Sequence, residues 1–173
     1  MTQTSTRLSL LRHAKSSWAD TAQPDRDRPL APRGRKAARR LAGYLGDQAV
    51  RPDLVLCSPA ARATETLDLL RPGLDEGVEV LIEDGLYGAG ARELLDRLRR
   101  IPGRVAWVLV IGHNPGLQQL VVLLARDGVL RERARSHFPT AALATLALPE
   151  GGWPDLGPGT ADLVSYVAPR DIG

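Results

Sequence analysis

Lysine is nearly absent from this chain of 173 residues: Lys15 and Lys36 stand against 21 arginines. Cysteine is rarer still, and the single Cys57 excludes a disulfide framework or a thiolate zinc cluster. His13, His113 and His137 are too few for a metal site built mainly from imidazoles, so no metal or other cofactor is expected. Aromatic residues make up only 4% of the chain, too few to furnish stacking platforms for nucleic acid. The net charge of +3 is mild and tolerates anionic partners without demanding nucleic acid. Long hydrophobic runs are also missing. The longest, Val105 to Ile111, has the size of a strand rather than of a membrane span. The apolar start at Leu8 to Leu11 leads directly into Arg12 and His13, unlike the core of a signal peptide. A cytoplasmic protein with no membrane partner is the expectation, and one free thiol agrees with it.

What is present is ordinary for a folded globule: 43% apolar and 25% charged residues, enough for one domain over residues 1–173. Leu8–Leu11 reads as a strand, followed by a polar stretch from Lys15 to Pro32. Arg33 to about Gly46 reads as a helix, with Ala37, Ala38, Leu41, Ala42 and Leu45 on one face. Leu54–Cys57 is a second strand. Ser58-Pro59 reads as an N-cap and first helical position, opening a helix to about Leu70. A short strand from Val78 to Ile82 precedes a third helix bearing Ala91, Leu94, Leu95, Leu98 and Ile101. Val105–Ile111 is the clearest buried strand. Gly112-His-Asn-Pro-Gly116 then turns into an apolar helix, Leu117 to Ala125, with Gly128 as its C-cap. Ala141–Leu148 and Asp162–Ala168 are the last strands, split by a Gly- and Pro-rich loop from Gly151 to Gly159. Strands alternating with helices predict a three-layer α/β/α sandwich around a mostly parallel sheet.

Open α/β sheets bind ligands beyond the carboxyl ends of their strands. There the sequence places Arg12 and His13 after the first strand, Ser58 and Arg62 after the second, and His113 and Asn114 after the central one. Helix N-termini at that edge add partial positive charge and free N–H donors, and arginine matches phosphate oxygens with a fork of donors. The pocket therefore suits a tetrahedral anion. Each piece has a plainer reading. An Arg-His pair is weak in so arginine-rich a chain, a histidine after a strand is commonly structural, and Gly112 to Gly116 can be only a turn. Their convergence favours a site. His137 reads as a surface residue of a polar connector from Arg131 to Pro139. Arg33, Arg35, Lys36, Arg39 and Arg40 read as a solvated helix face, with a docking surface as the alternative. Cys57 is not the thiolate of a tyrosine-phosphatase loop: that loop needs five residues before its arginine, here there are four before Arg62, and Pro59 removes one N–H.

Leu10-Leu-Arg-His-Ala-Lys15, Ser58-Pro-Ala-Ala-Arg-Ala-Thr-Glu-Thr66 and Val110-Ile-Gly-His-Asn-Pro-Gly116 together resemble the histidine phosphatase superfamily, with its phosphoglycerate mutase-like fold. The short chain and the Arg-His-Ala-Lys-Ser opening resemble its SixA-type phosphohistidine phosphatases. The resemblance implies a phosphatase in which His13 is the nucleophile and Arg12, Arg62 and His113 hold the transferring phosphoryl group. Asn114, Lys15 and Ser16 are further candidates for binding phosphate. Two departures stand out. Ala14 replaces the family's usual glycine, and Ala19 stands where many members carry an asparagine. The family's usual general acid, a mid-chain glutamate, has only loose counterparts in Glu83 and Asp84. A phosphoester's leaving alkoxide needs that acid, worth about 10²–10⁴-fold, whereas the imidazole of phosphohistidine needs less help. A protein bearing phosphohistidine is therefore the expected substrate. The alternatives are a small phosphorylated molecule, cleaved by a phosphomonoesterase of the same superfamily, or a non-catalytic phosphoprotein-binding module.

Overall fold

The computed structural model describes residues 5–173. Six strands form one sheet: β1 (Arg7–Arg12), β2 (Leu54–Cys57), β3 (Glu79–Ile82), β4 (Trp107–Gly112), β5 (Leu143–Ala147) and β6 (Asp162–Val167). Their order is β3-β2-β4-β1-β5-β6. The first four in that order are parallel neighbours, and β5 runs antiparallel to both β1 and β6. The sheet is mostly parallel, as the alternating pattern predicts.

The pleat of the central strands builds two cores. Leu8 and Leu10 of β1, with Val108 and Val110 of β4, pack against α3 (Ala91–Arg99) and α4 (Gly116–Leu124). Leu11, Leu109 and Ile111 point the other way, against α1 (Pro32–Asp47) and α2 (Ala61–Leu70). Residues buried on both faces explain why these strands read as continuous apolar runs. Leu41 and Leu45 carry the buried stripe of α1, each contributing about 1.5–3 kcal/mol by leaving water. Gly34 of α1 has a packing reason to lack a side chain: a Cβ there would lie 2.1 Å from the Lys15 carbonyl oxygen. That close approach seats α1 directly on the segment following β1.

The structure corrects three local expectations. Ser58-Pro59 does not cap α2; the helix starts at Ala61 with Ala60 before it, and the Ser58 hydroxyl meets His113 and accepts from the Ala60 N–H ahead of the helix. Gly128 does not close the fourth helix, which ends at Leu124. It precedes a fifth, α5 (Val129–Ser136), where a polar connector is expected. Only Ala134 of α5 is buried, so the sequence shows no apolar stripe there. Ion pairs of Arg131 with Asp127 and of Arg135 with Glu132 run along the element instead. His137, just beyond it, is exposed as expected. Among the described residues, no helix is long and apolar enough to cross a membrane.

Candidate active site

Two adjacent parallel strands set the site. Arg12 of β1 pairs with Gly112 of β4, so the next residues, His13 and His113, emerge side by side with ring centroids 5.1 Å apart. The chain leaves β1 towards the α1 face and leaves β4 towards the α4 face, which opens a crevice between them at the carboxyl edge. Cys57 pairs with Ile111, bringing Ser58 alongside and placing Arg62, the second residue of α2, at the same crevice. A cavity of about 520 Å³ results, lined by Arg12, His13, Lys15, Ser16, Arg62 and His113 among others.

His13 is buried and its protonation is fixed by geometry. Its Nδ1 lies 2.7 Å from the Ala14 carbonyl oxygen. A carbonyl only accepts, so Nδ1 carries the hydrogen and Nε2 keeps a lone pair. Arg62 Nε donates to that Nε2 at 3.3 Å. Burial, with the nearby cationic groups, pulls His13 down to about 3. The imidazole is thus neutral at pH 7, the form in which a histidine can act as a nucleophile. His113 donates from Nε2 to the Ser58 hydroxyl at 2.7 Å, while its Nδ1 faces Arg62 Nη2 at 3.5 Å. Burial and Arg62 pull it down to about 4.

The backbone around the nucleophile is braced from three elements. Thr66 Oγ1 donates to the Arg62 carbonyl at 2.6 Å and accepts from the Ala14 N–H at 3.0 Å. Ala141, in the left-handed region at φ 63°, sends its N–H to the carbonyls of Arg12 and His13. A non-glycine residue held there stores strain, as functional sites often do. Arg12 donates from Nη1 to the Phe138 carbonyl at 3.0 Å, and its buried Nε has no partner.

The segment after His13 folds over the cavity. Ser17 N–H donates to the Pro29 carbonyl, and Ala31 N–H to that of Lys15, which zips the two ends together. The short 3-10 turn Asp25–Asp27 lies between them. Asp25 is a site residue that the sequence reading missed. Its carboxylate accepts from Arg62 Nη2 at 3.1 Å, Tyr87 OH at 2.6 Å and Arg28 Nη2 at 3.0 Å. The Tyr87 hydroxyl, with Arg28 and Arg62, holds Asp25 below the ordinary carboxylate range. Arg28 also donates to Ser16 Oγ at 2.7 Å and stacks on Trp18, 3.7 Å from the ring centroid. The run Asp25-Arg-Asp-Arg-Pro29 is visible in the sequence, but nothing local says that it reaches back to Arg62.

The remaining candidates divide. Lys15, Ser16 and Asn114 line the cavity, although Asn114 spends its amide on the Phe138 carbonyl and the Gln118 N–H. Glu83 and Asp84 are not among the lining residues. Arg97 of α3 holds Glu83 through contacts of 2.7 and 2.9 Å, while Asp84 is exposed and pairs with Arg26 at 2.9 Å. Cys57 is fully buried on β2, and burial pushes its thiol up to about 12. Among the described residues, no three His, Cys, Asp or Glu side chains gather as metal ligands would.

Comparisons with known proteins agree with this geometry. The sequence pattern of the histidine phosphatase superfamily (branch 1) matches residues 8–89. The phosphohistidine phosphatase SixA of Escherichia coli is 32% identical over 151 residues, spanning 83% of this chain and 86% of the relative. An uncharacterised protein of Mycobacterium tuberculosis is 38% identical over 164 residues, 92% of this chain and all of the relative. The crystal structure of the putative phosphohistidine phosphatase SixA from Agrobacterium tumefaciens superposes with a TM-score of 0.82 at 30% identity, covering 96% of this chain and 99% of that one. With its paired histidines at the carboxyl edge of a phosphoglycerate mutase-like sheet, this chain belongs to the histidine phosphatase superfamily and is of the SixA type.

Proposed function

We propose that the protein removes the phosphoryl group from phosphohistidine on proteins, through a phosphorylated His13. The observation that carries this reading is a cavity in which no carboxyl group is poised to give up a proton. Asp25 is held ionised by arginines and a tyrosine, and Glu83 and Asp84 are spent on Arg97 and Arg26 outside the lining. An alkoxide leaving from a phosphoester would depart unprotonated. The imidazole of phosphohistidine, already protonated on its distal nitrogen, leaves as a neutral ring.

In the first step, His13 Nε2 attacks phosphorus in line and the bond from phosphorus to the substrate's imidazole nitrogen breaks. The hydrogen stays on Nδ1 throughout, donated to the Ala14 carbonyl. Arg12, Arg62 and His113 take the equatorial oxygens, where charge stabilisation is the main catalytic contribution in phosphoryl transfer. Water then attacks the phosphorus of phospho-His13 and releases orthophosphate. The fixed cations do the work of a metal ion, so EDTA leaves the rate unchanged.

The test is a substrate panel: a phosphohistidine phosphotransfer domain, phosphoserine and phosphotyrosine peptides, and common sugar phosphates. The phosphohistidine protein is expected to be turned over at least about 10²-fold faster in kcat/KM than any ester, the share an acid supplies. A sugar phosphate equalling it overturns the proposal in favour of a small-molecule phosphomonoesterase.

A further inference from the structure

Beside the catalytic cavity lies a second one, of about 290 Å³, which shares Lys15 and Thr140 with it. Arg33 of α1, His137 and Arg170 complete its polar lining, and Ala37, Pro139, Ala168 and Pro169 its apolar floor. No carboxylate lines it. The arginines near the catalytic cavity are otherwise arranged. Arg26, Arg28, Arg35, Arg62 and Arg97 all hold an acid. Among the described residues, Lys15, Arg33 and Arg170 hold none. Asp171, next to Arg170, is turned to Arg133 and to the Ala168 N–H instead.

Three cations around one concave surface repel one another, and a recess bounded by low-dielectric walls concentrates their field. Such an arrangement favours an anionic occupant. The floor takes the methylene stems of long acidic side chains while the cations take their heads. The shared wall through Lys15 puts such an occupant next to whatever fills the catalytic cavity. A small phosphorylated molecule ends within the first cavity, whereas a protein segment continues into the second.

We propose that this cavity docks carboxylate side chains that flank the phosphorylated residue of a protein substrate. The inference rests on the proposed action on phosphoproteins and names the chemistry of the partner: an acidic surface around the phosphohistidine.

The test uses two fluorescent peptides with phosphohistidine at the centre, one flanked by glutamates and one by glutamines, and the double variant Arg33→Glu/Arg170→Glu. Both arginines are exposed and neither lines the catalytic cavity. By fluorescence anisotropy, unphosphorylated copies suffice: the wild type is expected to bind the glutamate peptide at least tenfold more tightly than the variant does, and to lose that advantage in high salt. The glutamine peptide should not discriminate. In turnover, KM for the phosphorylated glutamate peptide rises with kcat unchanged, while phosphoramidate, which cannot reach the second cavity, is hydrolysed equally by both proteins. Arg33→Gln/Arg170→Gln should give a smaller change in the same direction, which separates charge from misfolding. Equal binding of the glutamate peptide by wild type and variant overturns the docking site, as does an equal effect on both peptides. If binding discriminates but only phosphoesters are hydrolysed, the docking site stands and the phosphohistidine reading falls.

Discussion

Arg62 Nε donates to His13 Nε2 across 3.3 Å, on the one ring nitrogen that carries no hydrogen. The arginine thereby marks that atom, while its terminal nitrogens hold Asp25 through the backbone carbonyl at 2.7 Å and the carboxylate at 3.1 Å. His13→Ala is expected to lower turnover by more than about 10³-fold, as loss of a covalent nucleophile does, and to abolish the acid-labile phosphoenzyme. Trapping with labelled substrate checks both, and residual phosphoenzyme in this variant would mean a different nucleophile.

The paired histidines also make stability depend on pH. His13 is held near 3 and His113 near 4, against 6.5 when free. Between these values and 6.5 the unfolded chain binds protons that the folded one refuses, so stability falls as pH drops through that window. Asp25, held below its usual 3.8, adds a further loss at lower pH. Urea unfolding at pH 7 and pH 4.5 should differ by an amount on the order of a few kcal/mol. The double variant His13→Ala/His113→Ala should flatten the difference; an unchanged slope would refute this account.

Binding of a dianion should reverse the charge state of His113. Its Nδ1 faces Arg62 and burial keeps the ring neutral, but an oxyanion favours the protonated ring. Calorimetry of tungstate binding at pH 7, repeated in buffers of different ionisation enthalpy, is expected to show uptake of about one proton per ion bound. His113→Gln should take up none.

The two acidic residues singled out in the sequence should prove dispensable for chemistry. Asp84→Ala is expected to leave kcat within about twofold, since its exposed pair with Arg26 adds little even to stability. Glu83→Gln loosens the partly buried bond to Arg97 and should cost about 1 kcal/mol in urea unfolding with little change in rate. If either variant removed hydrolysis of p-nitrophenyl phosphate, the acid would have been misplaced and an ester substrate would gain ground.

Cys57 gives the last prediction. Its thiol is inaccessible and pushed up to about 12, so Ellman's reagent should react only after unfolding. Cys57→Ser should keep most of the activity, judged by phosphoenzyme formation.

The meeting of Arg12, His13, Arg62 and His113 was legible because each lies at or just beyond the carboxyl end of a strand, and parallel strands bring those ends to one edge. Periodicity located β1, β2 and β4 within a residue or two, for their burial is two-sided and their composition uniform. Asp25 and Tyr87 were not legible: their meeting depends on how a polar segment folds back over the sheet, which no local pattern encodes. Helix α5 was hidden for the opposite reason, since an element with one buried residue has almost no periodicity to read. Ser58 misled because a serine before a proline looks like a cap, whereas its hydroxyl meets His113 on the neighbouring strand's loop and the Ala60 N–H ahead of the helix.

The position of β1 in the sheet has a further consequence. It is made before the other strands of its sheet, yet it lies between β4 (Trp107–Gly112) and β5 (Leu143–Ala147), which are made far later. Its hydrogen-bonding edges stay empty through most of translation, and the histidine at its end lacks its last backbone brace until the chain has passed Ala141. His13 is synthesised early and assembled late. A nascent chain that stalls before β5 therefore carries the nucleophile on an open strand, exposed to pairing with other chains and unable to act as an enzyme.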